Sequence, residues 1–213
     1  MYRLFLLLLA IGAFGLGIYF EKQTSAPLSV DAVPIEARVQ RPFAVVIHAR
    51  NIEAECEALL TALFSQDYDN YRLILIDDGS ADATFQVAQD FILDAGQEWR
   101  SIVLRHDAPT GWDASFQEIA ATLLPHEIII PLQGKHRFLD VQALKRLNAI
   151  YEDKNVTMTE SDLVYYPSYE RGAGQEPFGQ TFLGTHVRSG KIVKEGKSAR
   201  LTGPICLEDR SRV

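Results

Sequence analysis

Two short clusters of polar residues have the composition of a site for an anion or a polar ring. His48, Arg50 and Asn51 follow one apolar run, and the pair Asp77 and Asp78 follows a second. The first cluster leads into a segment with helical spacing, and the free N–H groups at a helix amino terminus bind anions. The carboxylates of the second can accept hydrogen bonds from a base or a ribose. The acidic pair, which is followed by Gly-Ser, is also typical of a strand-to-helix turn with a capping aspartate.

An alternation of strands and helices must position these clusters. Apolar, β-branched runs predict strands at 43–47, 73–76, 101–104 and 127–132. Apolar residues at helical spacing predict helices at 54–65, 83–94, 115–124 and 141–151. This order predicts an α/β fold with a mainly parallel sheet and helices on both faces. Ligands bind beyond the carboxyl ends of such strands, so we expect both clusters to meet there.

The amino terminus carries an uncharged apolar run over residues 4–20. As a helix it would reach about 25 Å, near the lower limit for crossing a bilayer. We predict a membrane anchor within residues 1–22, with a cleaved signal peptide and a buried soluble helix as alternatives. Arg3 and the amino terminus outweigh Lys22, so the amino terminus would be cytoplasmic and the domain non-cytosolic. Cleavage of the segment would instead make the domain secreted or periplasmic.

The remaining chain divides by composition. Residues 23–41 contain Pro27 and Pro34 and predict a linker, and residues 42–171 carry the strand and helix pattern. Repeated glycines in 172–213 predict loops and short elements. The net charge of -7 argues against nucleic acid as a partner, because phosphate neutralisation needs a basic surface. The two cysteines lie far apart and have no metal-type spacing.

The order and spacing of these motifs resemble glycosyltransferase family 2, whose domain has the GT-A fold. The resemblance is carried by Val-Val-Ile-His-Ala-Arg-Asn at 45–51, by 59–68, and by Tyr-Arg-Leu-Ile-Leu-Ile-Asp-Asp-Gly-Ser at 71–80. It implies that Asp78 or Asp77 contacts the base of a nucleotide or nucleotide-sugar. It further implies that the turn with His48, Arg50 and Asn51 flanks that nucleotide. In the family's third donor-site turn the sequence keeps Gly111, but Ser-Phe-Gln replaces the usual Ala-x-Asn.

The resemblance also reveals a departure at residues 132–136, Leu-Gln-Gly-Lys-His. Family members end this strand in Leu-Asp-x-Asp-Asp, the DxD motif, whose carboxylates hold a divalent cation that neutralises the diphosphate. Gln133 is a weak neutral ligand and Lys135 repels a cation. We therefore expect no divalent metal here and no other cofactor.

Three functional hypotheses follow from that departure. The leading one is a membrane-anchored, glycosyltransferase family 2-like protein that has lost catalysis but binds a nucleotide-like ligand or a partner. The second is an active, metal-independent transferase in which Lys135 or His136 stabilises the phosphate charge, although a His beside Lys and Arg is also typical of a solvated turn. The third is a non-enzymatic scaffold or interaction domain.

The carboxyl-terminal segment bears on the choice between these hypotheses. In the family a general base lies about 90 residues beyond the metal motif, and here only 77 residues follow His136. Asp209, beside Glu208, is a candidate for that base and is also typical of a charged tail. Residues 172–213 are accordingly expected to be a truncated acceptor region.

Overall fold

The computed structural model describes residues 28–166, 179–188, 191–192 and 197–209. The strands are β1 (Leu28–Ser29), β2 (Phe43–Ala49), β3 (Tyr71–Asp77), β4 (Ser101–Arg105), β5 (Ile128–Gln133), β6 (His136–Phe138), β7 (Val156–Tyr166), β8 (Gly179–Arg188), β9 (Lys191–Ile192) and β10 (Lys197–Asp209). The α-helices are α1 (Glu53–Phe64), α2 (Thr84–Asp94), α3 (Trp112–Ala120) and α4 (Ala143–Ile150). Single 3₁₀ turns span Val30–Ala32 and Glu98–Arg100.

The strands form one sheet in the order β1-β10-β7-β8-β5-β2-β3-β4, with β6 paired to β10 and β9 paired to β8. Strands β2, β3, β4 and β5 are mutually parallel, and β8 runs antiparallel to both β5 and β7. The predicted α/β fold with a parallel sheet is therefore confirmed for the first half of the chain, and the second half adds the antiparallel strand β8.

Successive side chains of the central strands enter two different cores. Val45 and Ile47 pack with α1, α2 and α4 on one face of the sheet. Ala44 and Val46 pack on the other face against Ile119 of α3. Because both faces of the sheet are covered, residues that point to either face are mostly apolar. The strands β2 and β3 therefore lack an alternation of apolar and polar residues and are almost continuously apolar. Helices on both faces are thus confirmed.

Two element predictions were wrong. Residues 179–188 and 197–209 form strands of ten and thirteen residues, not loops and short elements. Pairing of β7 with β8 and with β10 shifts register in several places, including beside Pro204, and such bulges accommodate Gly and Pro within a strand. The second wrong prediction is the helix at 115–124, because α3 begins at Trp112 and ends at Ala120. Its first turn starts at Gly111, whose carbonyl accepts the Ser115 N–H.

Part of the stretch that the sequence places in a linker packs on the domain instead. Strand β1 pairs with β10, and Val30 and Val33 are buried in the larger core. The Arg146 guanidinium donates to the carbonyl oxygens of Val30 and Val33 at 3.0 and 3.3 Å. None of the helices in the described residues is long and apolar enough to cross a membrane. The predicted anchor at 4–20 lies outside those residues and stays a prediction.

Candidate functional site

The turns that follow β2 and β3 are joined by reciprocal hydrogen bonds. Asn51 has a positive φ of 50°, a conformation that Asn tolerates better than most residues. Its N–H donates to Ser80 Oγ at 2.9 Å, and its Oδ1 accepts the Ala81 N–H at 2.8 Å. The buried Ile52 N–H donates to Thr84 Oγ1 at 2.8 Å. The two turns therefore form one rigid unit at the carboxyl edge of the sheet.

The first turns of α1 and α2 cap each other across this unit. Glu53 N–H donates to Asp82 Oδ2 at 3.2 Å, and Ala83 N–H donates to Glu53 Oε2 at 3.0 Å. Asp82 Oδ1 also accepts the Thr84 N–H and hydroxyl. Burial disfavours the charged form of Asp82, but these donated bonds outweigh it and lower its pKa. Helix N–H groups that lack an intrahelical partner are satisfied in this way.

The carboxylate of Asp78 is held by donors from the segment between β4 and α3. Oδ1 accepts the Thr110 N–H at 2.7 Å and the Thr110 hydroxyl at 2.9 Å, and Oδ2 accepts the Gly111 N–H at 2.9 Å. His106 Nδ1 lies 2.8 Å from Oδ1, and His48 Nε2 lies 3.3 Å from Oδ2. Burial opposes ionisation, yet the donated hydrogen bonds prevail and hold the pKa of Asp78 well below its usual range.

His106 joins three elements through its ring. Nδ1 faces Asp78 after β3, and Nε2 lies 2.8 Å from Glu118 Oε2 on α3. The hydrogen bond with Asp78 raises the pKa of His106 most, burial opposes it, and Glu118 raises it further. An imidazole placed between two carboxylates can donate from both nitrogens only when it is protonated. The two carboxylates therefore favour the protonated form of His106.

Asp77 differs from its neighbour because it retains an unused acceptor. It is fully buried, and Oδ1 accepts the Ser80 N–H at 3.2 Å. Oδ2 lies 3.5 Å from Nε of the half-exposed Arg105, and within the described residues no donor forms a hydrogen bond with it. Arg105 packs its guanidinium over the Phe85 ring at 5.2 Å. Arg105 and Phe85 therefore lie beside a carboxylate oxygen that could accept a further hydrogen bond.

The three residues of the first predicted cluster, His48, Arg50 and Asn51, have different surroundings. His48 is in β2 opposite Gln133 of β5, and its ring meets Trp112 edge-on at 5.6 Å. Arg50 is exposed, whereas Asn51 serves the turn described above. The structure thus brings His48, Asp77, Asp78 and Gly111 together, and leaves Arg50 at the solvent side of the turn.

Residues 133–136, where the resemblance places the acidic metal motif of the family, begin at the same edge. Gln133 is exposed, Gly134 N–H donates to the His48 carbonyl at 2.9 Å, and Lys135 is half-buried. His136 is buried in β6, in register with Glu208 of β10, so the interpretation of a solvated basic turn was wrong. An amide, an ammonium group and a His within a strand do not match the oxygen ligands that a hard divalent cation prefers. These residues do not fit the family's metal.

The candidate base at the carboxyl terminus also lies in regular structure. Asp209 ends β10 opposite Tyr166 of β7, and Glu208 lies in the same strand between β6 and β7. A charged tail was therefore the wrong interpretation of this pair, because the backbone of both residues is paired in the sheet.

The sequence patterns did not indicate His106, Arg105 or Thr110 as site residues. Arg105 ends β4 and His106 follows it, just as Asp77 and Asp78 end and follow β3. The rule that ligand-binding residues follow parallel strands applied to this third strand as well. Glu118 had no comparable signal, because its contact depends on where α3 packs.

Comparisons with known proteins bear on the fold and the family of this chain. A family model described as Glycosyl transferase family 2 matches residues 44–131. The mannosyltransferase PcManGT from Pyrobaculum calidifontis, solved with GDP-Man and Mn2+, superposes with a TM-score of 0.54 at 14% identity, covering 62% of this chain and 37% of that chain. S. aureus TarS 1-349 in complex with UDP gives 0.52 at 18% identity, covering 63% and 38%. The chain thus spans under half the length of these proteins. No functionally curated protein matches the sequence.

The parallel sheet, its linked carboxyl-edge turns and these similar structures define an α/β domain of the GT-A type. Within that class the chain carries a glycosyltransferase family 2-like domain, and the resemblance predicted from the motifs is confirmed.

Proposed function

We propose that the protein binds a nucleotide or nucleotide-sugar at the carboxyl edge of β2, β3 and β4 without a divalent metal, and that its transferase activity is impaired. The observation that carries this proposal is the unused acceptor of Asp77, buried beside Arg105 among turns that are already rigid. This oxygen has the ion pair with Arg105 but no hydrogen bond, so a ligand N–H that reaches it gains a charged hydrogen bond. Relatives of this fold have been solved with GDP-Man and with UDP.

The base contact is assigned to Asp77 and not to Asp78. Both oxygens of Asp78 already accept hydrogen bonds from Thr110 and Gly111. A nucleotide would have to break these bonds to reach Asp78. At Asp77 the ligand needs only to displace the Arg105 side chain, which is half exposed.

Impaired catalysis follows from the charges beside the site. Transfer from a nucleotide-sugar needs stabilisation of the negative charge that develops on the leaving diphosphate. The residues at 133–136 do not fit the family's cation, and of the two cationic substitutes His136 is buried in β6. Lys135 remains as a cation that could approach a diphosphate.

The rival function, an active metal-independent transferase, rests on Lys135. Its half-exposed side chain follows Gly134, which is bonded to the turn at His48. Turnover of a nucleotide-sugar in the presence of a chelator that is lost in Lys135→Ala would favour this rival. A scaffold that binds no nucleotide is the third possibility. In all three, residues 4–20 anchor the domain on the non-cytosolic side of a membrane.

A variant pair tests the assignment of the base contact. Asp77→Asn keeps the oxygen that accepts from Ser80 but removes the charge, so uridine or guanosine diphosphate should bind about tenfold or more weakly, as expected for a charged hydrogen bond. Asp113→Asn removes an exposed carboxylate from the nearby start of α3 and should leave affinity unchanged. Calorimetry on both proteins measures the difference. Equal affinities in the two variants would discredit the role of Asp77.

A further inference from the structure

A groove lies at the edge of the sheet opposite the proposed nucleotide site. It has a volume of about 390 Å³ and is formed where β2, β3, β4 and β5 begin. Pro42 precedes β2, Tyr71 begins β3, Ser101 begins β4 and Glu127 precedes β5. We call it the β4 groove.

The rim of the β4 groove exposes large apolar side chains. Trp99 is 76% exposed, Leu124 is 54% exposed and Ile102 is 37% exposed. A cluster of exposed apolar residues that includes a tryptophan is unusual on a free surface and marks an interaction site. Tryptophan and tyrosine are also enriched where proteins meet the lipid–water interface.

The two arginines of the β4 groove differ in their partners. Arg72 is held by Glu127, with Nε and Nη2 donating to its two carboxylate oxygens at 2.6 and 2.8 Å. Arg100 has no carboxylate within ion-pair distance among the residues that the structure describes, and its Nε donates to the neutral amide oxygen of Gln97 at 2.6 Å. Its guanidinium carbon lies 4.2 Å from the Tyr71 ring centroid and 5.3 Å from that of Trp99. A cation between aromatic rings beside apolar side chains complements a phospholipid phosphate above its acyl chains.

The first described strand, β1, begins at the amino-terminal edge of the sheet, where the β4 groove also lies. Strand β1 is parallel to β10 and β10 to β7, while β8 is antiparallel to both β7 and β5. Strand β1 therefore has the same sense in the sheet as β2 to β5, and Leu28 lies at its amino-terminal end. The eight residues from position 20 to Leu28 span at most about 28 Å. The entering segment also borders the β4 groove, because Asn70 of its lining donates to the Gln40 carbonyl.

We propose that the amino-terminal edge of the sheet rests on the lipid bilayer, with Trp99, Ile102 and Leu124 in the interface and Arg100 at the headgroups. This inference rests on the proposed membrane attachment through residues 4–20 and adds the orientation of the domain to it. The carboxyl edge, with Asp77 and Asp78, then faces away from the membrane and is open to soluble ligands.

The protein carries its own matched probes, because Trp99 and Trp112 are its two tryptophans. Trp112 begins α3 at the carboxyl edge, opposite the β4 groove. The full-length chain is reconstituted into phosphatidylcholine–phosphatidylglycerol vesicles with brominated acyl chains, which quench nearby indoles. Trp112→Phe leaves Trp99 as the probe, and Trp99→Phe leaves Trp112. Flotation of the vesicles reports attachment, and circular dichroism reports that each variant is folded.

We expect both variants to float, with Trp99 losing most of its emission and Trp112 losing little. Flotation with an unquenched Trp99, as when a second copy or a partner protein covers the β4 groove, overturns the orientation and leaves the attachment standing. Equal quenching of both tryptophans also overturns it, because no face would then be preferred. A chain that fails to float contradicts the attachment itself and the orientation with it.

Discussion

At the level of single residues, two neighbouring aspartates have different roles. The carboxylate of Asp78 is satisfied by Thr110, Gly111 and His106, so it holds the segment between β4 and α3 in place. Asp77 keeps one unused oxygen. The sequence predicted that this pair lies at the site, because both residues follow an apolar strand. It could not divide their roles, because Thr110 and His106 lie about 30 residues further along the chain.

Replacement of Asp78 tests its structural role. Asp78→Asn presents an amide N–H to a site surrounded by donors, so we expect a loss of at least about 2 kcal/mol in the free energy of unfolding. Asp77→Asn, which retains the acceptor for Ser80, should cost less. Urea denaturation of both variants measures this order. An Asp78→Asn protein as stable as Asp77→Asn would contradict the role of Asp78 as the anchor of that segment.

The pH dependence of stability tests the state of His106. Its pKa is raised in the folded protein, so its contribution is fully present below the unfolded value of about 6.5 and is lost as pH rises through the folded pKa. His106→Gln should therefore destabilise by roughly 1–2 kcal/mol at pH 6 and by less at pH 9. Glu118→Gln should weaken the pH dependence, whereas exposed Asp113→Asn should not. A His106→Gln effect that grows with pH would reverse the assigned protonation state.

At the level of elements, the sequence predicts a strand well when both of its faces are buried in the core. Strands β2 to β5 are buried on both faces, which leaves continuous apolar runs that the sequence shows plainly. Strands β8 and β10 contain glycines and a proline accommodated by register shifts, so no local pattern predicts them. The joining of the two turns depends on Asn51 and Ser80, which lie in the family motifs but were not predicted to contact each other, and on Thr84 at the start of α2.

The turn after β3 approaches the next loop closely at Gly79. A Cβ there would lie 2.7 Å from the backbone of Ala108 and Pro109, and the residue has a φ of +67°. Gly96 has a φ of +63°, but a Cβ on it meets nothing within 4 Å. Gly79→Ala should therefore destabilise by about 1–3 kcal/mol more than Gly96→Ala, because only the first adds a steric clash to the backbone strain. Thermal denaturation of the two variants compares them, and equal costs would show that this contact is looser than described.

At the level of the whole molecule, the sheet joins parts of the chain that the sequence keeps far apart. Residues 28–33 cover the core beside α4 through a pair of hydrogen bonds from Arg146, more than 100 residues away. Pro27 and Pro34 favoured a linker there, whereas contacts with α4 and β10, both far along the chain, hold the segment on the domain. Cys206 of β10 is likewise buried in this core, although the glycines of that region led the sequence to predict loops.

The packing of this entering segment is testable by side-chain truncation. Val33 is 5% exposed within the core, whereas Val39 is 59% exposed. Val33→Ala should lower the free energy of unfolding by about 1–2 kcal/mol through lost burial of two methyl groups. Val39→Ala should change it by less than about 0.5 kcal/mol. If chemical denaturation finds both changes negligible, residues 28–33 are a tether and not part of the folded unit.

The central claim is that a glycosyltransferase family 2-like site binds its nucleotide without a divalent cation. Isothermal titration calorimetry of the full-length protein with uridine and guanosine diphosphates, in a chelator and then in excess Mn²⁺, tests it most directly. We predict binding of at least one of the two diphosphates in the chelator, with an affinity that Mn²⁺ leaves unchanged. Binding that requires Mn²⁺, or the absence of binding under both conditions, would contradict the account.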